Sequence, residues 1–494
     1  MKRSKFSLSN YKLGSSSMGE LVPVGLHEVL PGDSFQHATS VLLRCSPLVS
    51  PVMHPVHVRI HHWFVPHRII WDGWEDFITA GPDGTDGESG FPVIAMPPST
   101  GASVGSLADY LGVKPGVANL QVSALPFRAY ALIWNGWYRD QDLQAELTVS
   151  KASGTDTTTS TSLQNVAWEK DYFTSSRPWA QKGPDVTLPL GDTAEVMRTN
   201  NAPGMGHLYK GGTNTLATAS TAVKTDASSN LVVGTDGVSI DPNGSLYADL
   251  STATAVDVND VRLAFALQRY EEARARYGSR YVEYLRYLGV RSSDARLQRP
   301  EYLGGGKQTI QFSEVLQTGP DSGGGGVANL LGHGISAMRS NRYRRFFEEH
   351  GYVISMMSVK PKSIYVDGLP RTWNRRTKED FWQQELQHIG QQEVLNKEVY
   401  AAHSSPNGTF GFQDRYDEYR RQESSISGEF RTTYDDWHFG RSFASDPSLN
   451  AAFVKCVPSV EPFANQTDDT LLWMAMHSLQ ARRLVARSGS SFIF

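Results

Sequence analysis

The chain has 494 residues, 39% of them hydrophobic and 20% charged, so it can bury a large core and is not disordered throughout. Its 47 Lys and Arg nearly balance its 51 Asp and Glu, which excludes a uniformly basic nucleic-acid coat but not local basic patches. Only two cysteines occur, Cys45 and Cys456, which excludes a disulfide framework and a four-cysteine zinc site. We expect both to be buried, reduced thiols.

The basic start of the chain is followed by no apolar stretch, so it does not resemble a secretory signal. No apolar run approaches the ~18 residues that cross a bilayer, so we expect a soluble intracellular product without membrane insertion. Residues 1–18 carry Lys2, Arg3, Lys5 and Lys12 and no acid, among Ser and Gly. This composition predicts a flexible basic arm.

Strand patterns begin in the next segment, 19–191. Pro31-Gly32 predicts a tight turn, because Gly suits the turn position that needs a positive φ. Residues 56–65 alternate between two faces, which predicts a strand. One face carries Val56, Val58, Ile60, His62 and Phe64, and the other carries His57, Arg59, His61, Trp63 and Val65.

Helical patterns follow that strand. Residues 71–80 predict a short helix, 126–147 carry a helical or mixed apolar pattern, and 128–144 within it are dense in aromatic residues and are expected in the core. The composition then changes, because Gly, Thr, Ser, Asn and Asp prevail in 192–257. That segment predicts short hairpins in an inserted surface loop.

The last segment, 258–494, combines helices and strands. Residues 259–277 predict a helix with an apolar stripe that ends at Gly278, and 279–288 predict a second, short helix. Residues 351–368 predict paired strands around Pro361. Thr377 with Asp380 predicts a capping box before a further helix.

The catalytic and metal-binding patterns in the sequence do not have the geometry that such sites require. Ser103 lies in a Gly-x-Ser-x-Gly motif, but two prolines precede it where a nucleophile elbow needs a strand. His57 and His61 would lie about 13 Å apart on a strand at ~3.3 Å per residue, too far to share one zinc ion. We therefore expect no catalytic residue, metal or cofactor, and we expect the histidine group to serve an interface or a polar face. That group is His54, His57, His61, His62 and His67.

Two basic clusters stand out in this near-neutral chain. Residues 262–299 contain nine Arg and four acids, which suits nucleic acid, an acidic subunit or a solvated helix face. A second cluster mixes cations with aromatic residues, which suits single-stranded nucleic acid or a subunit interface. It consists of Arg339, Arg342, Arg344 and Arg345 with Tyr343, Phe346 and Phe347.

Several long segments resemble the major capsid protein of the microviruses, small icosahedral single-stranded DNA phages, and are most similar to the gokushovirus branch. They run in the family's order from near the N-terminus to residue 454, with 192–257 and the C-terminal tail as the departures. The segments are ELVPVGLHEVLPGDSF, HHWFVPHRIIWDGWEDF, DYFTSSRPWAQKGPDVTLPLG, residues 258–306, EVLQTG, GEFRTTYDDWHFGRSF and DPSLNAAFV.

The resemblance implies a mainly β fold, an eight-stranded antiparallel jelly roll with long inserted loops and a few helices. It also implies a T=1 shell of sixty copies around circular single-stranded DNA, assembled in the host bacterial cytoplasm. The expected partners are other copies of the chain, the genome, minor virion proteins such as a DNA pilot protein and a small basic internal protein, and a host surface receptor. The segment 192–257 would form an outer protrusion that contacts the host.

Nonspecific phosphate contacts are expected from the basic residues of the N-terminal arm and of the second basic cluster. The expected DNA-contacting residues are Lys2, Arg3, Lys5, Lys12, Arg342, Arg344 and Arg345. The alternative is a carbohydrate-active or carbohydrate-binding β-sandwich, since 11 Trp and 20 Tyr could line a sugar cleft. Such an enzyme would need two carboxylates at a defined separation, which the sequence does not reveal.

Overall fold

The computed structural model describes residues 3–81, 90–184, 186, 258–278, 280–291, 293–316 and 330–487, and six short strands between residues 195 and 249. The remainder of the predicted loop 192–257 lies outside the described residues. The chain divides into two compact units. The larger contains Met1–Ala180 and Arg274–Phe494, and the smaller contains Gln181–Ala273.

The strands before the inserted segment are β1 Ser4–Ser7, β2 Asn10–Ser16, β3 Leu21–Val29, β4 Ser34–Cys45, β5 Val56–Pro66, β6 Val93–Ala95 and β7 Gln121–Ser123. The smaller unit holds β8 Glu195–Arg198, β9 Tyr209–Lys210, β10 Val223–Thr225, β11 Leu231–Val233, β12 Asp236–Ser239 and β13 Leu246–Asp249. The later strands are β14 Glu301–Thr309, β15 Gln311–Leu316, β16 Leu330–Arg339, β17 Tyr343–Phe346, β18 Gly351–Pro361, β19 Gln391–Leu395, β20 Thr409–Asp414 and β21 Leu471–Arg483.

Short helices and turns connect these strands. The α-helices are α1 Trp74–Thr79, α2 Leu107–Leu111, α3 Leu125–Trp137, α4 Val258–Tyr277, α5 Tyr281–Tyr287, α6 Asn396–Val399 and α7 Ala451–Val454. Within the described part of the chain, no helix combines the length and the apolar character needed to cross a membrane.

Two antiparallel sheets dominate the larger unit. The first sheet has the order β1-β21-β4-β16-β15, with β2 also pairing with β21 and β17 also pairing with β4. The second sheet has the order β14-β5-β18-β3. The predicted mainly β architecture is thus confirmed, whereas a seven-stranded and a four-stranded sheet do not by themselves establish an eight-stranded jelly roll.

The inner sides of the two sheets share an apolar core. Val41 and Leu43 from the first sheet cluster with Ile60 and Met357 from the second, and all four are buried. The alternation predicted for residues 56–65 is confirmed, because all five residues of the face that begins with Val56 are buried, whereas three of the five on the other face are only half-buried. Burial of both large apolar surfaces is the dominant favourable contribution to such a fold.

The outward sides of the two sheets differ. The outward side of the second sheet, here the covered face, packs against α3 and neighbouring loops, so Trp63 and Ile354 are buried there. The outward side of the first sheet, here the open face, carries five large apolar side chains that are half or more exposed. These are Tyr11, Leu13, Phe346, Leu472 and Met476.

Several local predictions are confirmed. Gly32 has a φ of 83° in the turn between β3 and β4, and Gly278 has a φ of 92° just after α4. Helices occur at Trp74–Thr79 and Tyr281–Tyr287, as the apolar patterns predicted. The core prediction for 128–144 is confirmed for 128–134, which are almost all buried, whereas 135–144 are mostly half-buried.

Other local predictions are wrong. The segment predicted as a flexible arm contributes β1 and β2, both paired with the C-terminal strand β21. Residues 351–361 form one strand that ends at Pro361, not a pair of strands around it. The capping box at Thr377 and Asp380 exists, but it opens only a 3-10 turn, Lys378–Asp380. The helix predicted over 259–277 is confirmed as α4, and its apolar stripe is largely exposed.

Candidate nucleic-acid interface

Cross-strand register places cations side by side on the open face. Lys5 pairs with Arg482, Arg482 pairs with Ser34, and Ser34 pairs with Phe346, so this row crosses four strands. Successive residues of a strand point to opposite sides, and directly paired residues point to the same side. The row therefore presents two cations and an aromatic ring together.

Three further rows each contain one arginine at an outward position. Neighbouring rows are separated by two or four residues along the strands. The rows are Ser7, Gln480, Gln36 and Arg344; Tyr11, Met476, Ser40 and Arg339; and Ser15, Leu472, Arg44 and Ile335. None of the four rows contains Asp or Glu.

The cations of these rows are available to a partner. Lys5, Arg44, Arg339, Arg344 and Arg482 are all exposed. Among the described residues, none of them forms an ion pair with a carboxylate. Positive charge beside exposed aromatic and aliphatic side chains is the combination that attracts phosphates and stacks bases.

Arg3 joins the first row from the N-terminal side. Its Nη1 donates to the carbonyl oxygen of Gly32 and to Oγ of Ser34, both at 3.0 Å. Its guanidinium also lies 5.4 Å from the centre of the Phe346 ring, within the range of a cation–π contact. The N-terminal cations and the second basic cluster, distant in sequence, therefore meet at one corner of the open face.

Lys12 points to the other side of the sheet. It pairs with inward-facing Ala475, and its ammonium donates to the carbonyl oxygens of Pro23, at 3.1 Å, and of Tyr110. Burial lowers the pKa of Lys12 to about 8, partly opposed by Asp109. Its charge is already held by partners within the same chain.

The residues of the second basic cluster divide in the same way. Arg342, Arg344 and Arg345 are all exposed, so their partners and not their burial distinguish them. Arg345 is paired with inward-facing Phe35 and forms an ion pair with Glu301 at 2.7 Å. Burial raises the pKa of Glu301, an effect that Arg345 partly offsets. Lys2 lies outside the described residues.

Sequence reasoning missed Arg44 and Arg482 as members of this surface. Arg44 is an isolated cation in the sequence, and Arg482, although followed by Arg483 and Arg487, was not selected. The available signal was their position in strands, since both alternate with buried apolar residues such as Leu43 and Ala481. Only the register of β4 and β21 reveals that they lie beside Lys5 and Phe346.

The other chemistry considered from the sequence is not assembled in the described structure. Ser103 is exposed and follows a turn, not a strand, so the nucleophile elbow is absent there. Cys45 and Cys456 are buried free thiols, and burial raises the pKa of each to about 12.

The five histidines weighed as metal ligands do not converge on one point. His61 and His62 lie on opposite sides of β5, as predicted. His61 Nδ1 lies 2.8 Å from the hydroxyl oxygen of Tyr138, whereas His62 bonds to Ser355 and Ser340. A different set of three histidines does converge, His27, His37 and His477, and sequence reasoning did not select them.

Comparisons with known proteins agree with a capsid. The family model described as capsid protein (F protein) matches residues 1–486. The capsid protein VP1 of Bdellovibrio phage phiMH2K is 36% identical over 473 residues, which cover 93% of this chain and 89% of that protein. The VP1 capsid proteins of Chlamydia phage 1 and Spiroplasma virus 4 are each 32% identical, over 92% of this chain and 89% and 87% of their own lengths.

These comparisons do not favour the carbohydrate-active alternative, because the family and the relatives are structural proteins of virions and not enzymes. Since the family match extends over almost the whole chain, the protein belongs to the capsid protein (F protein) family of the microviruses.

Proposed function

We propose that sixty copies of this chain assemble into a T=1 icosahedral shell around circular single-stranded DNA, with the open face toward the genome. Membership of the capsid family supports the assembly. The observation that carries the orientation is the set of four cross-strand rows on the open face, each with a cation and none with an acid.

The chemistry of the open face suits nonspecific contact with single-stranded DNA. Each Lys or Arg that neutralises a phosphate releases counterions, which favours binding without reading the base sequence. Exposed Tyr11 and Phe346 offer flat rings on which any base can stack. On the covered face α3 and its loops occupy much of the surface, and the cations Arg59 and Lys307 are already paired with Glu169.

The expected DNA contacts differ in strength. Arg3, Lys5, Arg342 and Arg344 are the members of the expected set best placed for phosphates, and Lys2 is proposed with them from its place in the sequence. Arg345 is expected to contribute less because Glu301 already neutralises it. Lys12 is expected to contribute least, because backbone carbonyls hold its ammonium.

Three finer features belong to the same proposal. We assign the four strands of the second sheet, together with β2, β21, β4 and β16, to an eight-stranded jelly roll, supported by their antiparallel pairing. Minor virion proteins, including a DNA pilot protein and a small basic internal protein, are proposed partners of the shell. Assembly is proposed to occur in the host bacterial cytoplasm.

The segment 192–257 is proposed to project outward and contact a host surface receptor. Its support is a composition rich in Gly, Thr, Ser, Asn and Asp, which suits a solvated loop and not a DNA-facing surface. Particles that lack this segment should form but adsorb poorly to host cells. Unchanged adsorption by such particles would contradict the receptor role.

The orientation is tested by removing charge from the open face. Particles of a Lys5→Gln/Arg344→Gln variant should package less DNA than wild-type particles, measured as the ratio of nucleic acid to protein in purified shells. The matched control is Lys114→Gln/Lys455→Gln, which removes the same charge at exposed sites outside the first sheet. Particle yield, measured first, separates a defect in assembly from a defect in packaging. Equal DNA content in both variants would contradict the orientation.

A further inference from the structure

A layer of polar side chains crosses the interior of the β-sandwich. On β4, inward-facing His37 and Thr39 lie between apolar Phe35 and Val41. On β21, His477 lies in the same way between Ala475 and Leu479, as does His62 between Ile60 and Phe64 on β5. His27 of β3 completes the layer from the second sheet. Polar groups in such a place destabilise the fold unless they find partners.

His477 has one nitrogen that is free to act as a ligand. Its Nε2 lies 3.0 Å from the carbonyl oxygen of Val24, which can only accept, so Nε2 carries the proton. Nδ1 of His477 is therefore a bare acceptor. It lies 3.2 Å from Nε2 of His37 and 2.9 Å from Oγ1 of Thr39.

His37 can offer a second bare nitrogen to the same point. Its Nδ1 lies 3.1 Å from the hydroxyl oxygen of Tyr343, which can accept the Nδ1 proton. Nε2 of His37 then faces Nδ1 of His477 with no proton on either atom. The hydroxyl of Thr39 lies within hydrogen-bond distance of both nitrogens but has only one proton to donate.

His27 supplies a third nitrogen. The residue is only 8% exposed, and its buried Nε2 has no hydrogen-bond partner among the described residues. The His27 ring lies 5.2 Å from the ring of His37 and 5.0 Å from that of His477. One nitrogen from each of the three histidines can be chosen so that all lie within 4.8 Å of one another.

The three imidazoles are in the protonation state that metals require. Burial lowers the pKa of His27 to about 3, with smaller contributions from His477 and Arg483. Burial also lowers the pKa values of His37 and His477. Neutral imidazole is the form that coordinates a metal, so no proton has to be displaced near neutral pH.

We propose that His27, His37 and His477 form a binding site for a divalent metal ion of the zinc class inside the β-sandwich. Nitrogens bound to one tetrahedral zinc at ~2.0–2.1 Å lie roughly 3.3 Å apart, close to the separation of His37 Nε2 and His477 Nδ1. The ligating nitrogen of His27 lies farther away, within 4.8 Å of the other two, so the His27 ring must move closer to share the ion. Thr39 or a water molecule supplies the remaining position.

The surroundings hold the ligand rings as metal sites require. The Val24 carbonyl accepts from Nε2 of His477, and the Tyr343 hydroxyl is placed to accept from Nδ1 of His37 when Nε2 of His37 binds the metal; such groups are the usual outer partners of ligating histidines. Gly25 leaves room for the His477 ring, since a Cβ there would lie 2.5 Å from its Cε1 atom. His62 is not a ligand, because both of its nitrogens already bond to serine hydroxyls.

A metal here would join both sheets and both ends of the chain. His27 belongs to the second sheet, and His37 and His477 belong to the first. The ion would thus link residues 27 and 477 across the sandwich and stabilise the folded subunit, because it binds the folded chain and not the unfolded one. This role is separate from DNA contact, since the site faces away from the open face.

The test is metal content, with zinc alone as the probe. Purified particles, dialysed against zinc and then against metal-free buffer, should retain about one zinc ion per chain by elemental mass spectrometry. A His27→Gln variant should lose most of this zinc, whereas the matched control His61→Gln, a half-buried histidine on the outward side of β5, should keep it. Loss of zinc by both variants, or by neither, would contradict the assignment.

Cobalt provides a second readout that needs no variant. Wild-type particles loaded with Co²⁺ should show the visible absorption of a tetrahedral nitrogen-ligated site, and zinc should displace it. Less than about one tenth of an ion per chain, with no cobalt spectrum, would overturn the proposal. A bound ion with the spectrum of six oxygen ligands would overturn it as well.

Discussion

Both sheets of this protein alternate inward and outward side chains, yet one outward face is covered by α3 and the other is exposed. On the covered face, Trp63 and Ile354 are buried beneath α3. On the open face, Tyr11 and Phe346 remain half or more exposed beside exposed cations. Both faces contain large apolar side chains, so hydrophobicity alone does not separate them. The difference lies in the cover and in the pairing of the cations, because Arg59 and Lys307 of the covered face both contact Glu169, whereas the open-face cations have no carboxylate partner among the described residues.

This contrast separates residues that stabilise the subunit from residues that serve its partners. Side chains beneath α3 lose their water when the chain folds, and their burial contributes to stability. Side chains on the open face gain little from folding and stay available. Substitutions on the covered face should therefore change stability, and those on the open face should change DNA contact.

The largest expected effect is on the covered face. Phe127 of α3 is 1% exposed, so Phe127→Ala should lower the free energy of unfolding by about 3–5 kcal/mol through lost burial and a new cavity. Leu13→Ala on the open face is the control and should change it by about 0.5 kcal/mol or less. Chemical denaturation of the free subunit measures both. Similar losses from the two variants would remove the distinction between the faces.

A comparable effect is expected from a buried ion pair that anchors α3. Arg128 and Asp156 are fully buried at 2.8 Å, and Arg128 also donates to the carbonyls of Ile70 and Ala152. Asp156→Asn should destabilise the subunit by about 3–5 kcal/mol because it leaves a buried cation without its counter-charge. Replacing both residues together, as Arg128→Met/Asp156→Leu, should restore part of the loss. A double variant worse than the single one would contradict this reason.

As the pH falls, protonation of histidines on the covered face should destabilise the subunit before any residue of the open face does. Burial lowers the pKa of His61 and of His67 to about 4, from an ordinary value near 6.5. The unfolded chain therefore binds more protons between these values, so stability is full above pH 6.5 and is lost as the pH falls toward 4.

Each such histidine should contribute a slope of about 1.4 kcal/mol per pH unit in that range. Denaturation of His61→Gln across pH 7 to about 4 should show a shallower decline than the wild type. The exposed His388→Gln is the control and should leave the slope unchanged. An unchanged slope in His61→Gln would contradict the half-buried, neutral state of that histidine.

The smallest effect on stability, and a selective effect on DNA, is expected on the open face. Lys5→Gln, Arg344→Gln and Arg482→Gln should each reduce the salt dependence of single-stranded DNA binding by about 0.7 in the logarithmic slope. Unfolding free energies should stay within about 0.5 kcal/mol of the wild type. Titrations of a fluorescent oligonucleotide at several salt concentrations measure the slope. Equal slopes for wild type and variants would show that these cations do not bind phosphate.

Local patterns predicted much of the fold. The alternation of β5, the turn at Gly32 and the end of α4 at Gly278 each depend on neighbouring residues, and each was predicted correctly. The resemblance of long segments to capsid proteins supplied the family. The thirteen-residue strand β21 was not predicted, although its residues alternate between the buried and the outward side of the sheet.

Long-range pairing could not be predicted in the same way. Residues 1–18 resembled a flexible arm because their partner, β21, begins more than 450 residues later. The same pairing places Arg482 beside Lys5 and brings His477 to His37 and His27. Composition and spacing carry no information on which strands become neighbours, so both the open face and the histidine layer became visible only in the structure.

The most direct test of the central claim is ultraviolet cross-linking of intact virions followed by mass spectrometry of the DNA-bound peptides. Cross-links should concentrate in peptides from 3–16, 339–346 and 472–483, which form the open face. Cross-links confined to α3 and the loops of the covered face, with none in those three peptides, would contradict the claim that the open face lines the genome.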